Sequence, residues 1–186
     1  MVKTFFAASL LFLIAVPALA QDDFPRIQMG FGYANFTMPT YVQNPISLAI
    51  SSTNQHNSGF MSSMNFNFTK NLGLDYMLGY YSLGNNSQLF SNIFGAKLMY
   101  PTDKITPFVV LGGGMASGIS GYYSTGSSLA WRGGAGFDYK LSDALYWRLD
   151  VSKMSVHQGI DLTNPTNTTW IGNMNIATGI VFTLMQ

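Results

Sequence analysis

The chain has 186 residues, of which 47% are hydrophobic and only 9% charged, with 19 glycines, no cysteine and a formal net charge of +1. A soluble domain carries about 25% charged residues, and so few ions beside so much apolar content exclude intrinsic disorder and leave no basic patch for nucleic acid. All eight acidic residues are Asp, and Glu, Lys and Arg are scarce beside Gly, Ser, Thr, Asn and Tyr, which selects an all-β chain; the missing cysteines exclude disulfide frameworks, thiolate metal sites and cysteine nucleophiles.

Residues 1–20 combine Lys3, an apolar run from Phe5 to Val16, and the small-residue site Ala18-Leu19-Ala20. This is the pattern of a secretory signal peptide cleaved before Gln21. The expected mature domain is then 21–186, and removal of Lys3 leaves eight basic against eight acidic residues.

From there the chain repeats with period two, the signature of half-apolar strands. Residues 26–37 set Ile27, Met29, Phe31 and Tyr33 against Gln28, Gly30, Gly32 and Ala34. Residues 59–69 set Phe60, Met64, Phe66 and Phe68 against Ser63, Asn65 and Asn67, and 72–83 set Leu72, Leu74, Tyr76, Leu78 and Tyr80 against Gly73, Asp75 and Gly79. Residues 89–100 oppose Phe94, Ala96, Leu98 and Tyr100 to Ser91, Gly95 and Lys97; in 107–118, Phe108 and Val110 share one parity and Val109, Leu111 and Met115 the other, leaving the register open. Residues 128–139 oppose Trp131, Ala135, Phe137 and Tyr139 to Arg132, Gly134, Gly136 and Asp138. Residues 145–154 oppose Leu145, Trp147, Leu149 and Val151 to Tyr146, Arg148, Asp150 and Ser152, and 170–184 oppose Met174, Ile176, Ile180, Phe182 and Leu184 to Asn173, Asn175, Gly179 and Thr183.

These eight strands are joined by connections that are long at one end (38–58, 84–88, 119–127 and 155–169) and short at the other (70–71, 101–106 and 140–144). Strands of about ten residues with loops segregated in this way specify an eight-stranded antiparallel transmembrane up-and-down β-barrel. The second face is mostly Gly, Ser, Asn and Thr rather than the charged face a soluble barrel turns to water, so the oily parity is assigned to lipid and the small parity to a lumen that side chains fill. Six ions fall on the lumen parity: Asp75, Lys97, Arg132, Asp138, Arg148 and Asp150, three of each sign. Because a lone buried ion costs several kcal/mol, they are expected to form an internal salt-bridge network. Aromatic girdles are assigned to Trp131, Trp170, Phe60 and Tyr80 at the outer ends, and to Phe68, Tyr100, Phe108, Tyr139, Trp147 and Phe182 at the periplasmic ends.

The segments Thr106-Pro107-Phe108-Val109-Val110-Leu111-Gly112-Gly113-Gly114 and Gly134-Ala135-Gly136-Phe137-Asp138-Tyr139-Lys140-Leu141-Ser142-Asp143, followed by Leu145-Tyr146-Trp147-Arg148-Leu149-Asp150, resemble strands five to seven of the OmpA-type outer-membrane β-barrel domain. The likeness spans the mature chain, barrel only, with no peptidoglycan-binding domain. It departs at the last strand, which in the family ends in an aromatic residue and here runs past Phe182 to Leu184-Met185-Gln186. The resemblance implies a bacterial outer-membrane location, insertion by the barrel-assembly machinery, contact with outer-membrane lipid and lipopolysaccharide, and a role in envelope integrity, adhesion or recognition of a host or surface ligand by the outer loops.

Catalytic chemistry is sparse. His56 and His157 both fall in expected outer loops, and Ser155 and His157 with Asp161 come nearest to a nucleophile-base-acid set. Gly112-Gly113-Gly114 lacks the lysine of a phosphate loop and sits in a strand. The chain is therefore expected to be neither an enzyme nor a carrier of a metal or cofactor. The alternatives are a narrow channel for small or apolar molecules and, behind it, a lipid-A-modifying barrel enzyme.

Overall fold

A computed structural model describes residues 24–43, 50–84, 87–119, 124–159 and 168–185. The segment 1–20 lies outside them, as does Asp161. Eight strands follow in chain order: β1 (Ile27–Gln43), β2 (Ile50–Asn67), β3 (Leu72–Gly84), β4 (Ser87–Met99), β5 (Ile105–Ile119), β6 (Ser124–Lys140), β7 (Leu145–Gly159) and β8 (Thr168–Met185). Each pairs antiparallel with its neighbour, and β1 pairs with β8 to close the barrel. Closure leaves no strand edge unpaired, which is the condition for a sheet to stand in hydrocarbon.

Alternation is what turns the wall into two surfaces. Phe31, Tyr33, Leu74, Leu78, Phe94, Leu98, Leu111 and Ile176 lie exposed on the outside, while Gln28, Asn65, Asp75, Lys97, Arg132, Arg148 and Asn175 are buried within. In β5 the parity left open by the sequence resolves with Phe108 and Val110 inward and Val109, Leu111 and Met115 outward. This removes Phe108 from the girdle to which it was assigned: its ring sits in the lumen, over Gly136, where a Cβ would stand 2.6 Å from Phe108 Cζ. The neighbouring glycine makes room for the ring on the inner face.

The strands are longer than their alternating cores. Crossing the hydrocarbon needs about 9–11 residues per tilted strand, yet β1 has 17 and β2 has 18. The expected loops at 38–58, 84–88, 119–127 and 155–169 are largely continuations of the paired strands: β1 and β2 stay in register as far as Gln43 opposite Ile50, and β7 and β8 as far as Gly159 opposite Thr168. At the other end the turns are tight, with Thr69 Oγ1 accepting from the backbone N–H groups of Asn71 and Leu72, and Leu141 and Ser142 both donating to the Leu145 carbonyl.

Candidate functional site

The six lumen ions come from β3, β4, β6 and β7, and inward parity alone brings them together. Arg132 donates from Nη1 to Asp75 Oδ2 at 2.9 Å, from Nη2 to Asp150 Oδ2 at 2.5 Å, and from Nε to Ser152 Oγ at 3.1 Å. Arg148 grips Asp138 with two parallel bonds, Nε to Oδ1 at 2.6 Å and Nη2 to Oδ2 at 2.8 Å, the fork geometry in which guanidinium and carboxylate match best. Lys97 Nζ completes this second group at 3.3 Å from Asp138 Oδ2. Every one of the six is at most 5% exposed, so their three positive and three negative charges must balance inside the barrel.

Asn65 on β2 joins the two groups. Its Oδ1 accepts from Lys97 Nζ and from Arg148 Nη2, each at 2.9 Å, while its Nδ2 donates to Asp75 Oδ1 at 2.6 Å. Sequence reasoning placed Asn65 on the lumen parity but not in the network, because an amide carries no charge to mark it. Ser63 adds an acceptor for Arg148 Nη1 at 3.1 Å. Phe108 lies against the cations, with Lys97 Nζ 4.4 Å and Arg148 Cζ 5.1 Å from its ring centre, so the misassigned aromatic supplies a π face to two ions in a desolvated setting.

Above this layer the lumen changes character. Phe36, Met61, Met77, Tyr81, Leu89, Ile93, Met154 and Val156 are buried together, with Ala34, Ala116, Ala130 and Ala177 between them. Phe36 and Tyr81 stack with ring centres 4.4 Å apart. This apolar layer was not expected from the sequence, whose lumen parity reads as small and polar; the signal was present in Phe36, Met61, Met77 and Ile93, which share that parity. Below the ions the lumen opens into a cavity of about 500 Å³ among Gln28, Asn67, Lys70, Thr102, Asp138 and Lys140.

Apart from Phe108, the aromatic residues assigned to girdles lie on or near the outer surface. Tyr100, Trp131, Tyr139, Trp170 and Phe182 are exposed, and Phe68 and Trp147 half-buried, Trp147 meeting Phe137 edge-on at 5.6 Å. Ser155 is buried, and His157 lies tilted against Trp170 with ring centres 5.1 Å apart. His56 is exposed at the rim, its Nδ1 3.0 Å from Thr37 Oγ1. Among the described residues no cluster of His, Asp or Glu could hold a metal ion.

The sequence matches the outer membrane protein β-barrel domain over residues 6–182. The chain belongs to that family. It is an OmpA-like eight-stranded barrel of the bacterial outer membrane, surrounded there by lipid. Among solved structures, Neisserial surface protein A superposes with a TM-score of 0.64 at 10% identity, over 85% of this chain and 97% of that one. The outer membrane protein OprG from Pseudomonas aeruginosa gives a TM-score of 0.55 at 10% identity, over 84% of this chain and 94% of that one. At such identity the likeness is one of fold. A search of curated proteins gave no match.

Proposed function

We propose that this protein is a sealed, non-enzymatic barrel whose work is structural and recognitional: it stiffens the envelope and carries polar hairpins beyond the outer leaflet. The supporting observation is the double filling of the lumen, by an ion-paired layer bridged through Asn65 and by the Phe36 and Tyr81 stack above it. An eight-stranded barrel has just the width that side chains fill. Residues 1–20 act in this reading as the secretory signal, the barrel-assembly machinery inserts the domain, and lipopolysaccharide packs around its outer half. The extended hairpins β1–β2 and β7–β8, whose sequences are rich in Asn, Ser and Thr, meet a host or surface ligand in this reading, the chemistry that rigid scaffolds display for recognition.

A second reading, a narrow path for small apolar molecules, draws on the Met and Phe lining of the upper lumen. Planar-bilayer recordings separate the two. The sealed barrel is expected to give no steady conductance and no uptake of apolar dyes into vesicles, whereas either signal would favour the path.

A further inference from the structure

The lumen ions balance one another, but the charges at the end of the tight turns do not. There Arg26, Lys70, Lys104 and Lys140 stand against Asp103 and Asp143, an excess of two cations. Lys140 is paired with Asp143 at 2.7 Å, whereas among the described residues no carboxylate lies within ion-pair distance of Lys70. Lys70, Asp103 and Lys140 are exposed at the mouth of the cavity of about 500 Å³ beneath the ion layer, and the buried Gln28, Asn67 and Asp138 line its interior.

The chain enters β1 across this mouth. Asn67 Nδ2 donates to the Pro25 carbonyl at 2.6 Å, the Asn67 backbone N–H donates to the Arg26 carbonyl at 2.7 Å, and the Arg26 N–H donates to the Met185 carbonyl at 2.8 Å. Tied in this way, the lead-in turns inward: Phe24 is only 8% exposed and lines the cavity together with Pro25. The backbone thus reaches the cavity at Phe24, and what precedes it is Gln21-Asp22-Asp23, a segment outside the described residues. Its two carboxylates equal the excess of cations at this end, and cleavage before Gln21 adds an ammonium that suits Asp103. Three extended residues span about 10 Å, and a round cavity of about 500 Å³ is about 10 Å across.

We infer that Gln21-Asp22-Asp23, once freed by cleavage, folds back as a lid on this cavity, with Asp22 and Asp23 on Lys70 and Lys140 and the new ammonium at Asp103. Charge complementarity and the tether select this occupant over a free anion, because a segment joined to the cavity wall holds its carboxylates there at an effective concentration of about millimolar. The lid adds a third filled layer to the lumen, covering the ion layer on the side where Asp138 lines the cavity. The inference rests on the reading of residues 1–20 as a secretory signal.

The test uses the mature chain purified from outer membranes in detergent. The sequence has no cysteine, so Thr106→Cys on the cavity wall supplies a single thiol, labelled with an uncharged polyethylene-glycol maleimide. Asp22→Asn together with Asp23→Asn is expected to raise the labelling rate about fivefold, the factor that corresponds to about 1 kcal/mol from solvent-screened ion pairs. Lys70→Asp should raise it as well, although a new carboxylate near the thiol would by itself disfavour the reactive thiolate and slow the reaction. Adding Asp22→Lys to Lys70→Asp should bring the rate back to that of the parent. A rate unchanged in the Asn variant, slowed by Lys70→Asp, or left unrestored by the exchange would each overturn the lid. Intact mass reports the N-terminus: a chain still carrying residues 1–20 would overturn the signal reading and the lid with it, whereas a chain that starts at Gln21 and labels alike in every variant would overturn the lid alone. A heat-modifiable gel band, run for every variant, reports the barrel separately.

Discussion

The lower and upper halves of the lumen solve the same filling problem with opposite chemistry. In the lower half three carboxylates and three cations sit on a layer tied by Asn65, each ion but Asp150 held by more than one partner or by a fork, and Asp150 held by Arg132 alone. In the upper half methionine, isoleucine and a stacked Phe36 and Tyr81 fill the space with no charge at all. The first is directional, because a displaced guanidinium strands a carboxylate. The second is tolerant, because an unbranched methionine can adjust to a neighbour's change. The lower layer therefore specifies which strand faces which, and the upper one mainly excludes water.

That contrast breaks first at Arg132, the only cation within ion-pair distance of both Asp75 and Asp150 among the described residues. Arg132→Met should cost about 3–5 kcal/mol by leaving two buried carboxylates unpaired, measured as a fall in the urea midpoint of protein folded into vesicles. Adding Asp75→Asn and Asp150→Asn should restore most of the loss; a single variant as stable as wild type would show that the lower layer is not held by its ions. In the upper layer, Met77→Ala should cost about 2 kcal/mol, the low end for buried methionine truncation, since its neighbours can close in. An equal or larger loss than at Arg132 would erase the distinction between the halves.

The smallest effect belongs at the solvent-exposed mouth of the lower cavity, at Lys140 and Asp143, 2.7 Å apart and 40% and 85% exposed. The hydrogen bond from Lys140 holds the Asp143 carboxyl below its ordinary range, and the same bond raises Lys140. A lowered carboxyl lends support that is present above the ordinary carboxylate range and disappears as pH falls through the lowered value. Asp143→Asn is therefore expected to give no resolvable shift in urea midpoint at neutral pH, and any small difference from wild type should vanish on acidification. A shift comparable to that of Met77→Ala would count against the solvent-screened description.

Much of this was legible in the chain itself. The two faces of most strands follow from alternation, since lipid demands Leu74, Phe94 and Ile176 outside and leaves Asp75, Lys97 and Arg148 nowhere to go but in. Partner choice was not legible: Arg132 lies 57 positions from Asp75 and 18 from Asp150, and only closure of the wall puts the three in one layer. The apolar upper lumen escaped because an inward Met77 or Ile93 between outward Tyr76, Leu78 and Phe94 blurs the very pattern used to find it. Phe108 escaped for a related reason: an aromatic near a strand end fits a girdle equally well until its parity is known.

The paired extension of β1 and β2 past the hydrocarbon has one more consequence. Pairs such as Thr37 with His56, Asn35 with Ser58 and Pro39 with Asn54 are neighbours through cross-strand register rather than through adjacency in the chain. An antibody or ligand that grips this blade would read a surface assembled from two strands, one that a peptide copied from either strand alone lacks.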